Sequence, residues 1–239
     1  MDEKIILEGE NIKITSKNSI FKIEFKYGRY SLINSLIKTR IIQGGSTDET
    51  YKIVTFKASS VKSLEDYKNT NMKSRGKKIF LISELANMVR SLSIQLNYLI
   101  EIEFQTIIGY NLEDIIVIND EKFAFLGSEL LANINVEDNE MATISCPFSP
   151  SDFFVSPELL KIKEIPSKVH YKTSYFSLGI LLIYVLLGDD EFYIDYLKHK
   201  HSEKMLESLN SHPIKNTRIY WLLSRCLVEE SKNRSIILI

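Results

Sequence analysis

The sequence predicts an α+β fold, with a strand-rich beginning and a mainly helical remainder. Three observations lead to this prediction. Residues 20–26 alternate apolar and charged side chains, as a strand with one buried face does. Residues 83–104 repeat apolar side chains at intervals of three and four, which is typical of an amphipathic helix. Residues 175–187 are apolar almost throughout and indicate a buried core helix, since a bilayer span needs about twenty apolar residues.

Residues 1–60 are expected to form a small antiparallel sheet that carries one helix. Short runs rich in isoleucine and phenylalanine, separated by turn-forming residues, predict the first strands, which are residues 4–8, 12–15 and 20–26. Apolar residues at helical spacing then predict a helix over residues 30–42, ended by Gly44 and Gly45. Residues 51–56 predict another strand. This strand-rich part is the first of two predicted units.

Residues 61–239 are expected to form the second, helical unit. Its longest helix is predicted over residues 83–104, with Ser83 as the N-cap. Before it, residues 63–67 predict the start of a short helix, and residues 69–78 a polar, basic loop. A short basic run is usually solvated surface, so we expect no nucleic-acid role for its cations, which are Lys73, Arg75, Lys77 and Lys78.

A hairpin, a long loop and three helices complete the helical unit. Two short apolar runs are separated by Asn119-Asp120-Glu121, whose turn chemistry predicts a hairpin of residues 115–118 and 122–125. Residues 128–155 have no sustained period and contain two prolines, so we expect an irregular loop. Three helices are predicted over residues 174–187, 191–210 and 216–228. Pro213 supports a break between the last two.

Composition and charge exclude several functional classes. The formal net charge of −1 gives no broad attraction to nucleic acid or anionic membranes, so neither is an expected partner. Cys146 and Cys226 are far apart in the sequence and no His/Cys cluster occurs, so a zinc site is not expected. The low number of cysteines fits a reducing compartment best, while a disulfide between the two remains open. No signal peptide is recognisable, which leaves a cytoplasmic location as the default expectation. His199 and His201 point apart on a helix and are expected at the surface.

An ordered set of motifs in the last third of the chain points to a known fold. Ser156-Pro157-Glu158 is followed by Ser177-Leu178-Gly179 within the apolar segment and, near the end, by Asn233-Arg234. With the order of predicted elements, this set resembles the large lobe of a eukaryotic protein kinase. The resemblance implies a protein kinase-like two-lobe fold with a reduced β-rich N-lobe and a mainly helical C-lobe. It also implies a partly buried, bidentate ion pair between Glu158 and Arg234.

The same resemblance places the catalytic machinery on residues that lack its chemistry. A gap-free alignment puts Gly109 at the catalytic-base aspartate and Asn111 at the phosphate-contacting lysine. Asp114 takes the place of the metal-binding asparagine, and Phe125 that of the metal-binding aspartate. Because magnesium requires oxygen ligands and phosphoryl transfer requires a positioned hydroxyl, the resemblance implies an inactive member of the family. Ser174 stands where an aspartate braces the catalytic loop, which implies a loosely held loop.

The strand-rich part also lacks the residues with which the kinase family binds ATP. The family cradles ATP phosphates on a glycine-rich loop, whereas the first predicted hairpin has Gly9 alone. The lysine of the third strand would be Lys22 or Lys26, and the predicted helix over residues 30–42 has no glutamate to pair with either. No cofactor and no metal are therefore expected.

Three functions remain open. The favoured one is a pseudokinase that binds a protein partner and transfers no phosphate. Its candidate contact surfaces are residues 147–155 and the groove beside the central helix. The first would bind a partner through three aromatic side chains, or these side chains would instead pack the loop onto the helical unit; they are Phe148, Phe153 and Phe154. The first alternative is a divergent Ser/Thr protein kinase or other nucleotide-using enzyme with rearranged acids, which would be Glu113, Asp114, Asp120 and Glu121. The second alternative is an unrelated α+β interaction protein.

Overall fold

Strands dominate the beginning of the chain and helices dominate the remainder, which is the α+β arrangement that the sequence predicts. A computed structural model describes residues 3–75, 80–135, 137–138, 140–149, 154–188, 190–199 and 203–237. Within these ranges it has eight α-helices, one five-stranded antiparallel sheet and several sheets of two or three strands. None of the helices in these ranges is long and apolar enough to cross a membrane. Cys146 is exposed, Cys226 is buried, and both are free thiols.

The five-stranded sheet is built from the beginning of the chain. Its strands are β1 (Lys4–Glu8), β2 (Ile12–Lys17), β3 (Ile20–Phe25), β4 (Ser46–Thr47) and β5 (Ile53–Lys57). They lie in the order β1-β2-β3-β5-β4, and all neighbours are antiparallel. In β3, Phe21, Ile23 and Phe25 are buried while Lys22 and Glu24 are partly exposed. The alternation in the sequence therefore gives this sheet one core face.

Helix α1 (Tyr30–Lys38) is shorter than the predicted helix over residues 30–42. The chain leaves the helix axis at Arg40, whose φ of 59° lies in the left-handed region, and not at the predicted glycine pair. Ile41 and Ile42 are nevertheless buried. Their burial explains the error, because apolar residues that pack onto the core after a turn mimic helical spacing.

Helix α2 (Leu64–Arg75) extends through a segment that the sequence predicts to be a loop. Strand β6 (Val61–Ser63) precedes it, and Ser63 Oγ accepts a hydrogen bond from the backbone N–H of Asp66 at 3.0 Å. This hydrogen bond and the acidic residues Glu65 and Asp66 in the first turn stabilise the beginning of the helix. The polar residues that follow continue as a helix from that start.

Helix α3 (Ile82–Ile102) is the long amphipathic helix that the sequence predicts, but Ser83 does not cap it. The helix begins one residue earlier, and the carboxylate of Glu84 accepts a hydrogen bond from the backbone N–H of Leu81 at 2.8 Å. Glu84 is buried, and it also accepts a hydrogen bond from the Tyr67 hydroxyl of α2 at 3.0 Å. One acidic side chain therefore caps α3 and joins it to α2.

Eight short strands follow α3 among the described residues. They are β7 (Gln105–Ile107), β8 (Gly109–Tyr110), β9 (Ile115–Ile118), β10 (Lys122–Phe125), β11 (Leu131–Asn133), β12 (Met141–Ile144), β13 (Phe154–Val155) and β14 (Ser167–His170). The predicted hairpin is confirmed as β9 and β10, and β6 pairs with the other edge of β9. Asn119 and Asp120 in its turn both have a φ of 56°, which these two residue types tolerate better than most.

Residues 128–155 do not form the irregular loop that the sequence predicts. They contain β11, β12 and β13, and each strand pairs with a partner distant in the chain: β11 with β7, β12 with β14 and β13 with β8. Strands of two to four residues are too short to show a period. Their long-range partners stabilise them, and such partners leave no local signal in a sequence.

Helix α5 lies at the centre of the helical part of the molecule. The helices after α3 are α4 (Pro157–Leu160), α5 (Thr173–Leu187), α6 (Asp190–His199), α7 (Glu203–Ser211) and α8 (Arg218–Cys226). α5 is buried along most of its length and ends at Gly188, whose φ of 65° is in the left-handed region. The single helix predicted over residues 191–210 is two helices, α6 and α7, and residues 200–202 between them lie outside the described ranges.

Candidate functional site

The position predicted for the catalytic base is a buried piece of backbone. Gly109 lies in β8 and pairs with Val155 of β13, while its neighbour Tyr110 pairs with Phe154. The hydroxyl of Tyr196 on α6 donates a hydrogen bond to the carbonyl oxygen of Val155 at 2.8 Å. The strand pair therefore covers this segment, and Gly109 offers no side chain that could accept a proton from a substrate hydroxyl.

The position predicted for a metal-binding aspartate is an aromatic ring in the core. Phe125 is 0% exposed and packs edge-on against Tyr110, with 5.2 Å between the ring centroids. Gln95 of α3 donates a hydrogen bond to the carbonyl oxygen of Phe125 at 2.9 Å and accepts one from its N–H at 2.9 Å. The amide of Gln95 also donates to Ser35 Oγ of α1 at 3.1 Å. These surroundings suit a ring and not a hard cation, which requires oxygen ligands.

Asp114 is the one acidic residue among the four degenerate catalytic positions. Its carbonyl oxygen accepts a hydrogen bond from the N–H of Leu126 at 2.8 Å. A Cβ atom added to Gly127 would lie 2.7 Å from Asp114 Cγ, so the carboxyl group fills the space beside this glycine. Burial, followed by the charges of Glu129 and Glu113, raises the pKa of Asp114 to about 6. The carboxyl group therefore holds its proton up to a higher pH than an exposed aspartate, and its charged form is poorly solvated in this position.

Asn111 caps the short turn that contains Asp114. Its side-chain oxygen accepts a hydrogen bond from the N–H of Glu113 at 3.1 Å, at the start of a 3-10 turn over Leu112–Asp114. Glu113 itself is exposed. An amide carries no charge, so Asn111 does not supply the cation that the resemblance to kinases places at this position.

A direct contact joins the first hairpin of the sheet to the segment that follows Gly127. Nδ2 of Asn11, in the turn between β1 and β2, donates a hydrogen bond to the carboxylate of Glu129 at 2.6 Å. In an alignment with kinases this turn takes the place of the phosphate-binding loop. The turn is therefore held against the polypeptide segment that follows Gly127.

The two lysines considered for the third strand have neighbours on the surface of the sheet. Lys22 forms an ion pair with Glu24 of the same strand, with 2.6 Å between Nζ and Oε1. The Nζ atom of Lys26 lies 5.8 Å from the centroid of the Tyr27 ring. Lys22 is thus an ordinary residue of a partly exposed sheet face, and Lys26 lies exposed just after the end of β3.

The structure brings Glu158 and Arg234 together in a bidentate ion pair. Arg234 Nη1 lies 2.5 Å from Glu158 Oε1, and Nη2 lies 2.9 Å from Oε2. The side chain of Arg234 is 0% exposed and that of Glu158 is 25% exposed. The guanidinium also donates to the carbonyl oxygens of Val228 and Glu229, at 2.7 and 2.9 Å, and lies 4.7 Å from the Phe176 ring centroid. The pair therefore ties α4 to the C-terminal segment and to α5.

Ser177, and not Ser174, connects α5 to the segment around Gly109. Ser177 Oγ donates a hydrogen bond to the carbonyl oxygen of Ile108 at 3.1 Å. Ser174 Oγ donates to the carbonyl oxygen of Tyr171 at 2.9 Å, next to the start of its own helix. The segment that the resemblance implies to be loosely held is instead fixed from α5 and from β13.

The acids proposed for a rearranged enzyme site do not converge. Glu113 and Asp114 precede β9, whereas Asp120 and Glu121 follow it. A strand of four residues separates the two groups by about 13 Å. Asp120 forms an ion pair with Lys62 at 2.7 Å. Within the described part of the chain, no group of three or more histidine, cysteine, aspartate or glutamate side chains is arranged to hold a metal ion.

The contact surface predicted at residues 147–155 is divided between core and surface. Phe154 is buried, and its ring centroid lies 4.9 Å from that of Tyr184 on α5, so this side chain packs onto the helices. Phe148 is half-buried and lines an apolar groove of about 290 Å³ together with Ile165. Other predicted surface features lie outside the described residues, namely Lys77, Lys78, Phe153, His201 and the side chains of Lys73, Arg75 and His199.

No protein-family model matches this chain, and no curated protein matches it.

Proposed function

We propose that this chain is a pseudokinase, a protein kinase-like module that binds a protein partner and transfers no phosphate. The observation that carries the proposal is the backbone at the base position. Gly109 has no proton-accepting side chain, and its strand pairs with Val155. Phosphoryl transfer depends on a group that orients the attacking hydroxyl. At Gly109 the chain has a buried strand in place of such a group.

A two-lobe architecture is part of this proposal. The five-stranded sheet with α1 would be the small lobe, residues 1–60, and residues 61–239 the helical lobe. The bidentate pair of Glu158 and Arg234 supports this assignment, because the motif order designates these two residues as partners. The hydrogen bond from Ser177 to Ile108 supports it further, since it links the apolar central helix to the segment that precedes Gly109.

The proposal includes weak or absent binding of a metal–nucleotide complex. Phe125 supplies no oxygen ligand from its side chain, and Gln95 occupies both of its backbone groups. Asn11 and Glu129 close the approach between the first hairpin and the turn at Gly127. Both features oppose the placement of a triphosphate between sheet and hairpin.

Thermal unfolding with ATP tests the nucleotide part of the proposal. The purified chain is heated at increasing ATP concentrations with and without Mg²⁺ or Mn²⁺, and we expect no shift of the melting temperature. A ligand present at 100 times its Kd would stabilise the fold by about 2.7 kcal/mol, so binding would be visible. A metal-dependent shift that Asp114→Ala abolishes and Asp120→Ala leaves intact would contradict the proposal. Asp120 is the matched control because it lies at the far end of β9 and pairs with Lys62.

The groove beside Phe148 is the surface that best supports contact with a protein. It is lined mainly by apolar side chains, and one of them, Ile165, is 41% exposed. The apolar lining residues are Pro147, Phe148, Leu159, Leu160, Ile162 and Ile165. Exposed apolar side chains next to an aromatic residue are typical of protein contact sites. Lys163 and Glu164 in the same lining supply charges at the rim that can orient a partner.

Variants of this groove test the partner part of the proposal. The immobilised chain is used to capture proteins from native cells, and Ile165→Asp is compared with Ile194→Asp. Ile194 is 50% exposed on α6 and lies outside the groove lining, so it is a control of the same chemistry. We expect that the wild type and Ile194→Asp both capture the same protein, and that Ile165→Asp fails to capture it. Equal capture by all three chains would remove the groove from the proposal.

A nucleotide-using enzyme with rearranged acids has weaker support. Its four acids lie in two groups at opposite ends of β9, and Asp120 is already paired with Lys62. Catalysis by paired carboxylates needs them close enough to share a substrate. An unrelated α+β interaction protein would share the partner test but would not account for the pairing of Glu158 with Arg234.

A further inference from the structure

A basic pocket lies where the end of α1, the middle of α3 and the turn between β9 and β10 meet. Its volume is about 360 Å³. Its lining includes three cationic side chains, Arg40, Arg90 and Lys122, and one carboxylate, Glu121. Its lining shares no residue with the degenerate catalytic positions or with the groove beside Phe148. Its chemistry is therefore independent of the proposed function.

The two arginine side chains of this pocket are exposed and have no partner within the described ranges. Among the described residues, the side chains of Arg40 and Arg90 form no hydrogen bond and no ion pair, and Glu121 forms no ion pair with either. Arginine donates five N–H groups in a planar fork, and this fork suits the oxygens of an anion. Unpaired guanidinium groups that line one cavity are therefore available to an external oxyanion.

Lys122 is held in place beside these arginines. Its Nζ atom donates a hydrogen bond to the carbonyl oxygen of Arg40 at 2.6 Å. The left-handed conformation of Arg40, with a φ of 59°, directs the chain around this contact at the end of α1. The fold thus holds the Lys122 ammonium group at the wall of the pocket against the backbone of Arg40. The side chains of Arg40 and Arg90 are exposed, so both can turn toward an anion that enters the pocket.

The charge of the pocket identifies the class of anion. Three cations and one carboxylate leave a formal charge of +2 on the lining. A phosphomonoester carries a charge of about −1.5 to −2 near pH 7, whereas a carboxylate carries about −1. Asn87 and Ser91 of α3 also line the pocket and add neutral hydrogen-bond donors. A volume near the lower end of the range for ligand pockets fits a single small group of this kind.

We propose that this pocket binds a phosphomonoester dianion through Arg40, Arg90 and Lys122. The dianion is the phosphate of a phosphorylated serine or threonine side chain or of a free small phosphomonoester. Two guanidinium groups bind the phosphate oxygens, and the lysine supplies a point charge. This site depends on the positions of α1, α3 and the β9–β10 turn, and not on any relation to kinases.

Calorimetric titration of the full chain tests this site. The probes are inorganic phosphate, O-phosphoserine and a short phosphoserine peptide, with acetate as the monoanion and with ionic strength held constant by chloride. We expect saturable binding of the phosphate probes and much weaker binding of acetate. The double variant Arg40→Asn/Arg90→Gln should bind at least about tenfold more weakly, since a hydrogen bond to a charged group is worth more than 1.4 kcal/mol. Asparagine is chosen at position 40 because it tolerates a positive φ.

A second double variant separates a site from general charge attraction. Lys52→Gln/Lys215→Gln also removes two positive charges, but from exposed residues outside the pocket. This variant should therefore bind phosphate as tightly as the wild type does. No saturable binding, equal losses in both double variants, or acetate binding as tight as phosphate binding would each overturn the proposal. Tighter binding of the peptide than of inorganic phosphate would assign the site to a phosphorylated partner, and the reverse would assign it to a free phosphomonoester. Thermal unfolding with ATP is a separate measurement, so either proposal can fail alone.

Discussion

The side chain of Gln95 hydrogen-bonds both backbone groups of Phe125, at 2.9 Å to the carbonyl oxygen and 2.9 Å to the amide nitrogen. Gln95 is fully buried on α3, and Phe125 ends β10. The place where the resemblance expects a metal-binding aspartate is thus held by a core side chain. The contact explains how Phe125 can be buried there. Its backbone N–H and carbonyl oxygen are out of contact with water, and Gln95 gives each of them a hydrogen-bond partner.

Replacement of Gln95 by leucine should lower the free energy of unfolding by about 2–4 kcal/mol, because two buried backbone groups lose their partners. Urea unfolding followed by circular dichroism measures the change. Asn97→Leu is the matched control, since Asn97 lies two residues later on α3 and is only half-buried. We expect the control to cost less than about 1 kcal/mol. A similar loss in both variants would show that the backbone contacts at Phe125 contribute little.

Removal of either partner of the Glu158–Arg234 pair should destabilise the fold by about 3–5 kcal/mol, because the remaining charge stays partly or fully buried. The variants are Glu158→Gln, Arg234→Gln and their combination, compared by thermal and urea unfolding. The two losses should be non-additive by about 1–3 kcal/mol.

Exchange of the two charges, Glu158→Arg with Arg234→Glu, should restore only part of that stability. The guanidinium of Arg234 also donates to the carbonyl oxygens of Val228 and Glu229, and a glutamate at this position has no N–H to donate. Full additivity of the single losses, or full recovery in the exchanged variant, would contradict this account of the pair.

Protonation of Asp114 should stabilise the folded chain. Its pKa of about 6 lies above the usual 3.8, so between these pH values the folded state holds a proton that the unfolded state has lost. The contribution of this group to stability is therefore greatest below about pH 4 and is lost as pH rises through 6. We expect a loss of about 1–3 kcal/mol from this residue alone.

Asp114→Asn should raise stability at pH 7 and flatten the pH dependence between pH 4 and 6, because the amide cannot ionise. Unfolding measured across this range checks the slope. Asp120→Asn is the control, since Asp120 is exposed and paired with Lys62, and it should not raise stability at pH 7. An unchanged slope in Asp114→Asn would mean that the carboxyl group is better solvated than its surroundings indicate.

Gly127→Ala should destabilise the chain by about 1–3 kcal/mol through crowding. The new Cβ would lie 2.7 Å from Asp114 Cγ and 2.7 Å from Phe125 Cζ, both closer than side-chain contacts allow. Gly9→Ala is the control, because the nearest atom to its new Cβ would be the Ile12 carbonyl oxygen at 3.7 Å, an ordinary contact distance. Thermal unfolding of both variants is sufficient, and equal melting temperatures would contradict the close packing at Gly127.

Elements with a repeated local pattern were predictable. The alternation in β3, the long spacing pattern of α3, the apolar run of α5 and the Asn119–Asp120 turn each have a signal within a few residues. Elements without such a signal cannot be located from the sequence. The spacing predicts too late an end for α1 because buried residues after Arg40 continue its pattern. No pattern predicts β13, because a strand of two residues has no period.

The candidate site was predictable in its losses and not in its contacts. Gly109 and Phe125 lack acidic groups whatever the fold is. Ser177 had a weak signal, since a hydroxyl inside an apolar helix needs a partner and therefore marks a contact. Nothing local indicates that Tyr196 reaches Val155 or that Gln95 reaches Phe125, because 41 and 30 residues separate these pairs.

The sequence by itself determined which chemical groups exist at each position, and with them the strand-rich start, the central apolar helix and the lack of acids at Gly109 and Phe125. Only the tertiary structure decided which groups meet, as in the pairing of β8 with β13 and the arginines that line the basic pocket. The physical reason is the range of the interactions. Periodicity and turn chemistry act over a few residues, whereas burial, hydrogen bonding and charge pairing depend on distances in space that the whole fold sets.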